Sequence, residues 1–310
     1  MSALQQHAQD YLQLRQALGH KMAHAVWLLP KFVAYLDHQG LPTVTTAAAV
    51  AWAQATPRQS APAAQQQRLS IARGFAHFMV GVDPATEIPP TDLLAHYREW
   101  RTPFIYSLED VRALMATARR ISPEPFRGAT MATLIGLLGV TGMRVGEALR
   151  LTDQNVDWDQ GILLIHATKF GKSRAVVLDA STLKALGNYV ALRNQRVPEP
   201  RASQLFVTER GTPVQYPRVG EAFRDALQES GVGARASARP HLHDLRHAFA
   251  VRTLVTWYRQ GADVEAWLPR LSTYLGHTTP HETYWYLTAV PELLQLAARR
   301  VTAWQEGGTE

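Results

Sequence analysis

Apolar side chains recur every three or four residues through most of the first hundred positions, a spacing that is typical of amphipathic helices. The strongest stripe of such residues consists of Val26, Trp27, Leu29, Phe32, Val33 and Leu36. Pro30 falls inside this stripe and predicts either a kink or a helix boundary. Further helices are predicted near Thr46 to Ala55 and from Ala63 to Val80. We therefore expect residues 1–100 to form an all-helical domain.

A stiff, proline-rich connector runs from Asp83 to Pro90, and we expect the linker to continue as far as Pro103. Beyond it, helical patterns cover Leu108–Arg120, Pro125–Val140, Val145–Leu151, Leu183–Val197, Val219–Ser230 and Pro291–Trp304. The linker therefore predicts two domains, a helical one over residues 1–100 and a second one over residues 104–310.

Three short runs of apolar and β-branched residues interrupt the helical pattern of the second region. Ile162–His166 and Ala175–Leu178 enclose a basic turn and predict a β-hairpin, and Leu205–Val207 predicts another short strand. Because helical patterns cover most of the remaining chain, the predicted fold is mainly α with a small antiparallel β-sheet, an α+β architecture.

The charge of the chain favours polyanionic partners. The formal net charge is +6 and the sequence pI is near 9.7. Residues 1–100 hold 7 Lys and Arg against 6 Asp and Glu, whereas the rest of the chain holds 25 against 20. Most of the basic excess therefore lies in the second region.

No segment is suited to a membrane. The longest apolar run, Ala129 to Met143, contains several threonines and glycines and is too short to span a bilayer. The N-terminus lacks the basic region and apolar core of a signal peptide. The absence of cysteine excludes disulfide frameworks and thiolate metal sites and suits a reducing compartment. We expect a cytoplasmic protein without a membrane partner.

The first candidate side chain for chemistry is Arg144, in the sequence Thr141-Gly-Met-Arg-Val-Gly-Glu-Ala-Leu. A guanidinium can hold two phosphate oxygens at once and does not lose its charge. Glu147 follows three residues later. The alternative is a plain ion pair between these two residues on a helix surface.

A second group of candidates lies between Pro240 and Leu287. His243 and Arg246 are three residues apart, so a helix places them on one face. His277 follows in a Leu-Gly-His sequence, and Tyr286 lies nine residues beyond it. A cation, two imidazoles and a phenol are suited to attack on a phosphate ester. The acidic cluster that a metal-dependent nuclease needs does not accompany them.

A metal-dependent hydrolase built on His241, His243 and His247 is an alternative to this interpretation. The helical zinc motif with two histidines requires Glu beside the first one, and Asp244 occupies that place. We therefore expect no functional metal site.

The turn of the predicted hairpin reads Thr168-Lys-Phe-Gly-Lys-Ser-Arg174 and carries three cations. A lysine can protonate a leaving oxygen if positive neighbours lower its pKa. The alternative for each lysine is a solvated position at the tip of a hairpin.

In this order, the motifs resemble the tyrosine recombinases, the phage integrase family, from Ser107 to about Leu287. That family places a catalytic lysine in a hairpin turn, in a Gly-Lys-Gly-x-Lys-x-Arg setting. Here Thr168 and Phe170 stand where the family has glycine. The register favours Lys169 as the catalytic lysine, and Lys172 remains a competitor.

The resemblance implies a role for each matched residue. Arg144 and Arg246 would bind the scissile phosphate, and Glu147 would support the first of them. His243 would accept the proton of the tyrosine or hydrogen-bond the phosphate, and His277 would stabilise charge on phosphorus. The other implied roles are general acid for Lys169, DNA contact for Lys172 and Arg174, and nucleophile for Tyr286.

The resemblance also implies a reaction and its partners. A site-specific recombinase of this kind breaks and rejoins double-stranded DNA through a 3′-phosphotyrosyl link, without a metal or cofactor, to integrate, excise, resolve or transpose a DNA element. Four protomers and two duplexes form the synapse, and accessory or directionality proteins are compatible with it. Residues 1–100 would form the core-binding domain. Pro291–Trp304 would dock on a neighbouring protomer or fold back on its own domain.

Two other functions share parts of this pattern. A type IB topoisomerase-like enzyme would use the same chemistry to relax DNA without strand exchange. A DNA-binding accessory protein without catalysis would not need Tyr286 as a nucleophile.

Overall fold

The computed structural model describes residues 2–55, 62–94, 102–166, 173–237, 239–277, 279, 281–289 and 293–298. The chain divides into two compact units, Met1–Trp100 and Arg101–Glu310. Each unit has its own apolar core. Part of the predicted linker and the turn of the predicted hairpin lie outside the described residues. The predicted Pro291–Trp304 helix is described only over residues 293–298, which are helical.

The first unit is built from helices. They are α1 (Ala3–Ala17), α2 (Ala23–His38), α3 (Thr46–Gln54) and α4 (Pro62–Met79). The Ser2 side chain accepts a hydrogen bond from the Gln5 backbone at the start of α1. Helix α2 continues through Pro30, so this proline is not a helix boundary. Pro30 and Val26 are both exposed, so water can hydrate the carbonyl that the proline leaves unpaired.

Aromatic rings connect the helices of the first unit. The Phe32 ring lies 4.8 Å from the Trp52 ring and joins α2 to α3, while Tyr11 meets Phe75 edge-on at 5.9 Å and joins α1 to α4. The later members of the predicted stripe are buried, but Trp27 is 62% exposed. The stripe predicted from the sequence is therefore wider than the buried face of α2.

Helices also dominate the second unit. They are α5 (Leu108–Ile121), α6 (Pro125–Thr141), α7 (Val145–Ala148), α8 (Ala180–Arg196), α9 (Tyr216–Ser230), α10 (Asp244–Arg259), α11 (Val264–Leu275) and α12 (His281–Ala289). Ser107 and Asp110 form a capping box at the start of α5. Helix α6 is buried on most of its faces and packs against α5, α8 and α10. It is the central helix around which the site is built.

The second unit contains a three-stranded antiparallel sheet in the order β1-β2-β3. Its strands are β1 (Val156–Asp157), β2 (Ile162–Ile165) and β3 (Arg174–Val177). Ile165 pairs with Arg174, so β2 and β3 enclose the predicted basic turn. Strand β1 has only two residues, too few for a recognisable alternation.

The predicted strand at Leu205–Val207 is wrong. Val207 forms only an isolated bridge with Pro213, and Gln204 forms another with Thr152. Leu205 and Phe206 are fully buried, so this apolar run reflects core packing and not a sheet. The predicted fold class, mainly α with a small antiparallel sheet, is confirmed. Within the described residues, no helix is both long and apolar enough to cross a membrane.

Candidate active site

Arg144 is positioned by the end of α6. That helix ends at Gly142, whose φ of 63° lies in the left-handed region. A Cβ at this position would lie 2.5 Å from the ring of Phe249. Arg144 then forms the N-cap of α7, where its backbone N–H donates to Glu147 Oε2 at 2.9 Å. The Thr-Gly-Met-Arg sequence thus turns the chain sharply and fixes the start of α7.

Glu147 is buried and holds two arginines. Arg144 Nη1 donates to Oε1 at 3.1 Å, and Arg174 donates from both Nη atoms to the two carboxylate oxygens at 3.1 and 2.7 Å. Burial acts to raise the pKa of Glu147, but the hydrogen bonds from Arg174 and Arg144 outweigh it and hold the pKa at about 2. The side chain of Arg144 remains 29% exposed, against 7% for Arg174. Arg144 can therefore meet a ligand from solvent.

Arg246 joins the ends of two helices. Nη1 donates to the carbonyl of Gly142 at 2.9 Å, and Nη2 donates to the carbonyl of Leu275 at 2.7 Å. Both carbonyls lie at helix C-termini, where a cation is favoured. Burial lowers the pKa of Arg246 to about 10, and the charge of Arg144 acts in the same direction. The guanidinium still remains protonated at neutral pH.

Arg144 also reaches the end of α11, since Nη2 donates to the carbonyl of Gly276 at 3.0 Å. Gly276 ends that helix with a φ of 70°. A Cβ here would lie 2.8 Å from Arg174 Nη1, so a side chain would disturb the contact of Arg174 with Glu147. Arg246 and Arg144 therefore bind the carbonyls of two consecutive residues, Leu275 and Gly276.

His277 follows directly on this helix end. Its Nδ1 lies 2.7 Å from Oγ1 of Thr283, a fully buried residue of α12. Burial, together with the charges of Arg246 and Arg144, lowers the pKa of His277 to about 3. The ring is therefore neutral at pH 7. When Thr283 donates to Nδ1, the ring proton lies on Nε2, from which it can donate to an anion.

Tyr286 lies on α12 and is 1% exposed. Its Oη lies 3.0 Å from His247 Nδ1, and its ring is stacked against that of His277 with centroids 6.4 Å apart. Tyr286 is also close enough to Arg246 to counteract in part the lowering of the arginine pKa. Tyr284, two residues earlier, is 42% exposed. Tyr286 is therefore the tyrosine of α12 that lies beside the cations.

His243 occupies the N-cap position of α10 and remains exposed. Although solvent reaches the ring, the surrounding protein displaces part of its hydration and lowers its pKa, and the charge of Arg246 adds to this effect. The ring centroid lies 4.9 Å from that of His247. His243 therefore faces solvent, while the neighbouring His247 contacts the Tyr286 hydroxyl.

The structure thus brings most of the predicted site residues together. They are Arg144, Glu147, His243, Arg246, His277 and Tyr286. Lys169 and Lys172 lie outside the described residues. Arg174, predicted as a DNA contact, instead directs its guanidinium to Glu147 and is largely shielded from solvent. Their roles remain predictions.

Sequence reasoning missed two contacts of the site. These are His247 with the Tyr286 hydroxyl and Thr283 with His277. The i,i+4 spacing of His243 and His247 indicates a shared helix face, but the sequence does not reveal what that face meets. In the described part of the chain, no group of three or more His, Cys, Asp or Glu residues could hold a metal ion.

Comparisons with known proteins identify the family of this chain. The profile of the phage integrase family matches residues 106–292. The y4rB protein of Sinorhizobium fredii (strain NBRC 101917 / NGR234), provisionally named an integrase/recombinase, is 40% identical over 307 residues, which cover 97% of this chain and 98% of the relative.

Two solved structures share the fold. The Tn1549 transposon integrase in complex with transposon right end DNA is 14% identical with a TM-score of 0.62, and the match covers 96% of this chain and 99% of that one. A lambda integrase tetramer bound to a Holliday junction is 16% identical with a TM-score of 0.59, covering 90% and 79%. At these identities the likeness is one of fold alone. The family profile spans more than half of the chain and the y4rB match nearly all of it, so the chain belongs to the phage integrase family, the tyrosine recombinases.

Proposed function

We propose that this chain is a site-specific DNA recombinase and that Tyr286 is its nucleophile. The observation that carries the proposal is the meeting of Arg144, Arg246 and His277 at the end of α11, with Tyr286 beside them. Oη of Tyr286 attacks the scissile phosphorus, the bond to the 5′ oxygen breaks, and a 3′-phosphotyrosyl link remains. Because one phosphodiester replaces another, a second 5′-hydroxyl can reverse the step.

The site supplies positive charge where the reaction develops negative charge. Arg144 and Arg246 are cationic, and His277 is a neutral donor through Nε2. Fixed donors around the phosphate stabilise the pentacoordinate transition state without reorganisation. The proposed mechanism therefore requires neither a metal ion nor another cofactor.

Glu147 and Arg174 act behind these groups. The Glu147 carboxylate receives both Arg144 and Arg174, so it fixes the direction of Arg144. Arg174 contributes the second cation that keeps this buried carboxylate ionised. We assign Arg174 a positioning role in place of the predicted DNA contact.

Catalysis requires the site to open to the scissile phosphate. Tyr286 is 1% exposed and Arg246 is 3% exposed, so a phosphate cannot reach both in this arrangement. Thr283 lies on the same helix as Tyr286 and contacts His277. DNA must therefore open a path to the phosphate site while α12 keeps its contacts with His247 and His277.

The proposed partner is double-stranded DNA, with a homotetramer as the active assembly. The basic excess of the second unit and the DNA complexes of proteins with this fold support this assignment. Residues 1–100 are the proposed core-binding domain, and residues 104–310 the catalytic domain. Lys169 is the proposed general acid and Lys172 a DNA contact. A DNA substrate and a cysteine-free chain fit a cytoplasmic enzyme.

The test is covalent trapping on DNA. The chain is incubated with a pool of nicked duplexes of randomised sequence, in which the short 3′ fragment that carries the 5′-hydroxyl diffuses away after cleavage. We expect an adduct that resists denaturant and forms equally in the presence of a chelator. Peptide mapping should place the phosphotyrosyl link at Tyr286.

Tyr286→Phe should abolish the adduct, whereas Tyr284→Phe, a change at an exposed position of the same helix, should leave it intact. An adduct that persists in Tyr286→Phe, or that disappears with chelator, would contradict the proposal. The trapped sequences are then placed on two plasmids. Recombination between the plasmids indicates strand exchange, whereas relaxation of supercoils alone indicates a topoisomerase.

A further inference from the structure

The Tyr286 hydroxyl contacts a histidine outside the group formed by Arg144, Arg246 and His277. His247 Nδ1 lies 3.0 Å from Tyr286 Oη, and the two ring centroids lie 5.5 Å apart. His247 is partly buried, and Trp285 packs against its ring with centroids 5.6 Å apart. The imidazole is therefore fixed in place at the atom that must become nucleophilic.

A phenol needs a proton acceptor to attack phosphorus near neutral pH, because its ordinary pKa is about 10. Three histidines of the site are candidates for this acceptor. His277 Nδ1 contacts the Thr283 hydroxyl, and the His277 ring is stacked against the phenol ring. His243 is exposed at the N-terminal end of α10, where an incoming phosphate can reach it. Of the three, His247 places a ring nitrogen within hydrogen-bonding distance of the phenol oxygen, at 3.0 Å.

We infer that His247 is the proton acceptor for Tyr286, and that His243 hydrogen-bonds the phosphate instead. This inference rests on the proposed recombinase function. It requires the His247 tautomer that carries its proton on Nε2, so that the Nδ1 lone pair faces the phenol.

Proton transfer accompanies the attack of Tyr286 on phosphorus. The O–H bond of Tyr286 breaks as Oη bonds to phosphorus, and the proton passes to His247 Nδ1. The bond from phosphorus to the 5′ oxygen breaks, and that oxygen takes a proton from a general acid, for which Lys169 is proposed. In the reverse step, the protonated His247 returns its proton to the departing phenolate.

The experiment measures single-turnover adduct formation with His247→Ala and His247→Asn, on duplexes selected by trapping with the unchanged chain. An asparagine amide can accept a hydrogen bond from the phenol but cannot take its proton. We expect both variants to be slower by roughly 10²–10⁴-fold, the usual range for loss of a general base. Added imidazole should restore part of the rate of His247→Ala.

A second substrate distinguishes loss of the general base from loss of the general acid. In a duplex with sulfur in place of the bridging 5′ oxygen, the leaving thiolate needs no proton. This substrate should relieve the defect of Lys169→Ala but leave that of His247→Ala. His241→Ala, a change at an exposed histidine before α10, is the matched control and should retain the full rate.

A His247→Asn rate equal to that of the unchanged chain would overturn the inference, since it would reduce His247 to a positioning residue. So would a defect of His247→Ala that imidazole does not relieve in a variant with normal circular dichroism and DNA affinity. If the unchanged chain forms no adduct on any duplex, the recombinase proposal itself fails. The two failures are therefore distinguishable.

Discussion

The two units bury different kinds of side chain. The fully buried residues of the first unit include Leu29, Phe32 and Phe75, and among its described residues the buried polar ones are the hydroxyls Thr43 and Thr86. The second unit has an apolar core of its own, but it also buries charged groups. These are Glu147, Arg193, Asp244 and Arg246. Burial of a charged group costs free energy, so other interactions in the fold must offset that cost, which an apolar core does not require.

Burial alone does not mark the active site. Arg193 donates to Asp153 at 2.9 and 3.0 Å and ties α8 to the turn before β1. Asp244 accepts the backbone N–H of His241 at 2.9 Å and helps to fix the start of α10. These two groups serve the fold. Arg246 differs because it lies where two helix ends and the nucleophile converge, so position relative to other chemical groups separates the functional charges from the structural ones.

Among the substitutions that test the contrast between the two kinds of buried side chain, Glu147→Gln should have the largest effect. The amide cannot satisfy two guanidiniums, so Arg174 is left buried without its counter-ion. We expect a loss of roughly 3–5 kcal/mol in the free energy of unfolding, the usual cost of breaking a buried pair. Urea-induced unfolding followed by circular dichroism measures it.

The matched control is Glu229→Gln. Glu229 pairs with Arg120 at 3.0 Å with both side chains more than half exposed, so the same change should cost about 0–1 kcal/mol. Leu29→Ala in the first unit should cost roughly 2–5 kcal/mol through a cavity alone. Equal effects of Glu147→Gln and Glu229→Gln would remove the contrast between buried and exposed charge.

The next largest effect concerns Arg144→Ala. This side chain is 29% exposed, so its loss should change the free energy of unfolding by less than about 1 kcal/mol. Adduct formation should fall about 10²–10³-fold, because one fixed donor to the phosphate is lost. Arg150→Ala, a change at an exposed arginine just after α7, is the control and should retain the rate. A large loss of stability with an unchanged rate would assign Arg144 to the fold.

The smallest effect is expected for Thr283→Val, which keeps the shape of a buried side chain and removes its hydroxyl. His277 then loses the partner of Nδ1 and with it the preference for the tautomer with the proton on Nε2. One hydrogen bond of about 0.5–1.5 kcal/mol corresponds to a decrease of up to about tenfold in the rate of adduct formation. An undiminished rate would show that Thr283 does not orient His277.

The sequence by itself determined most of the helices, the hairpin and the order of the chemical motifs. Apolar spacing and capping residues act over a few positions, so α5 and α6 could be placed within a residue or two at each end. The glycines at 142 and 276 end helices through their own backbone freedom, and this is also a local effect.

Only the tertiary structure decided which side chains meet. Arg174 and Glu147 are 27 residues apart, and His247 and Tyr286 are 39 apart. No periodicity connects positions at such separations, because packing of α6, α10, α11 and α12 sets the distances between them. Arg174 therefore looked like a DNA contact in the sequence and lies beside a carboxylate in the fold, and the partner of the Tyr286 hydroxyl became visible only there.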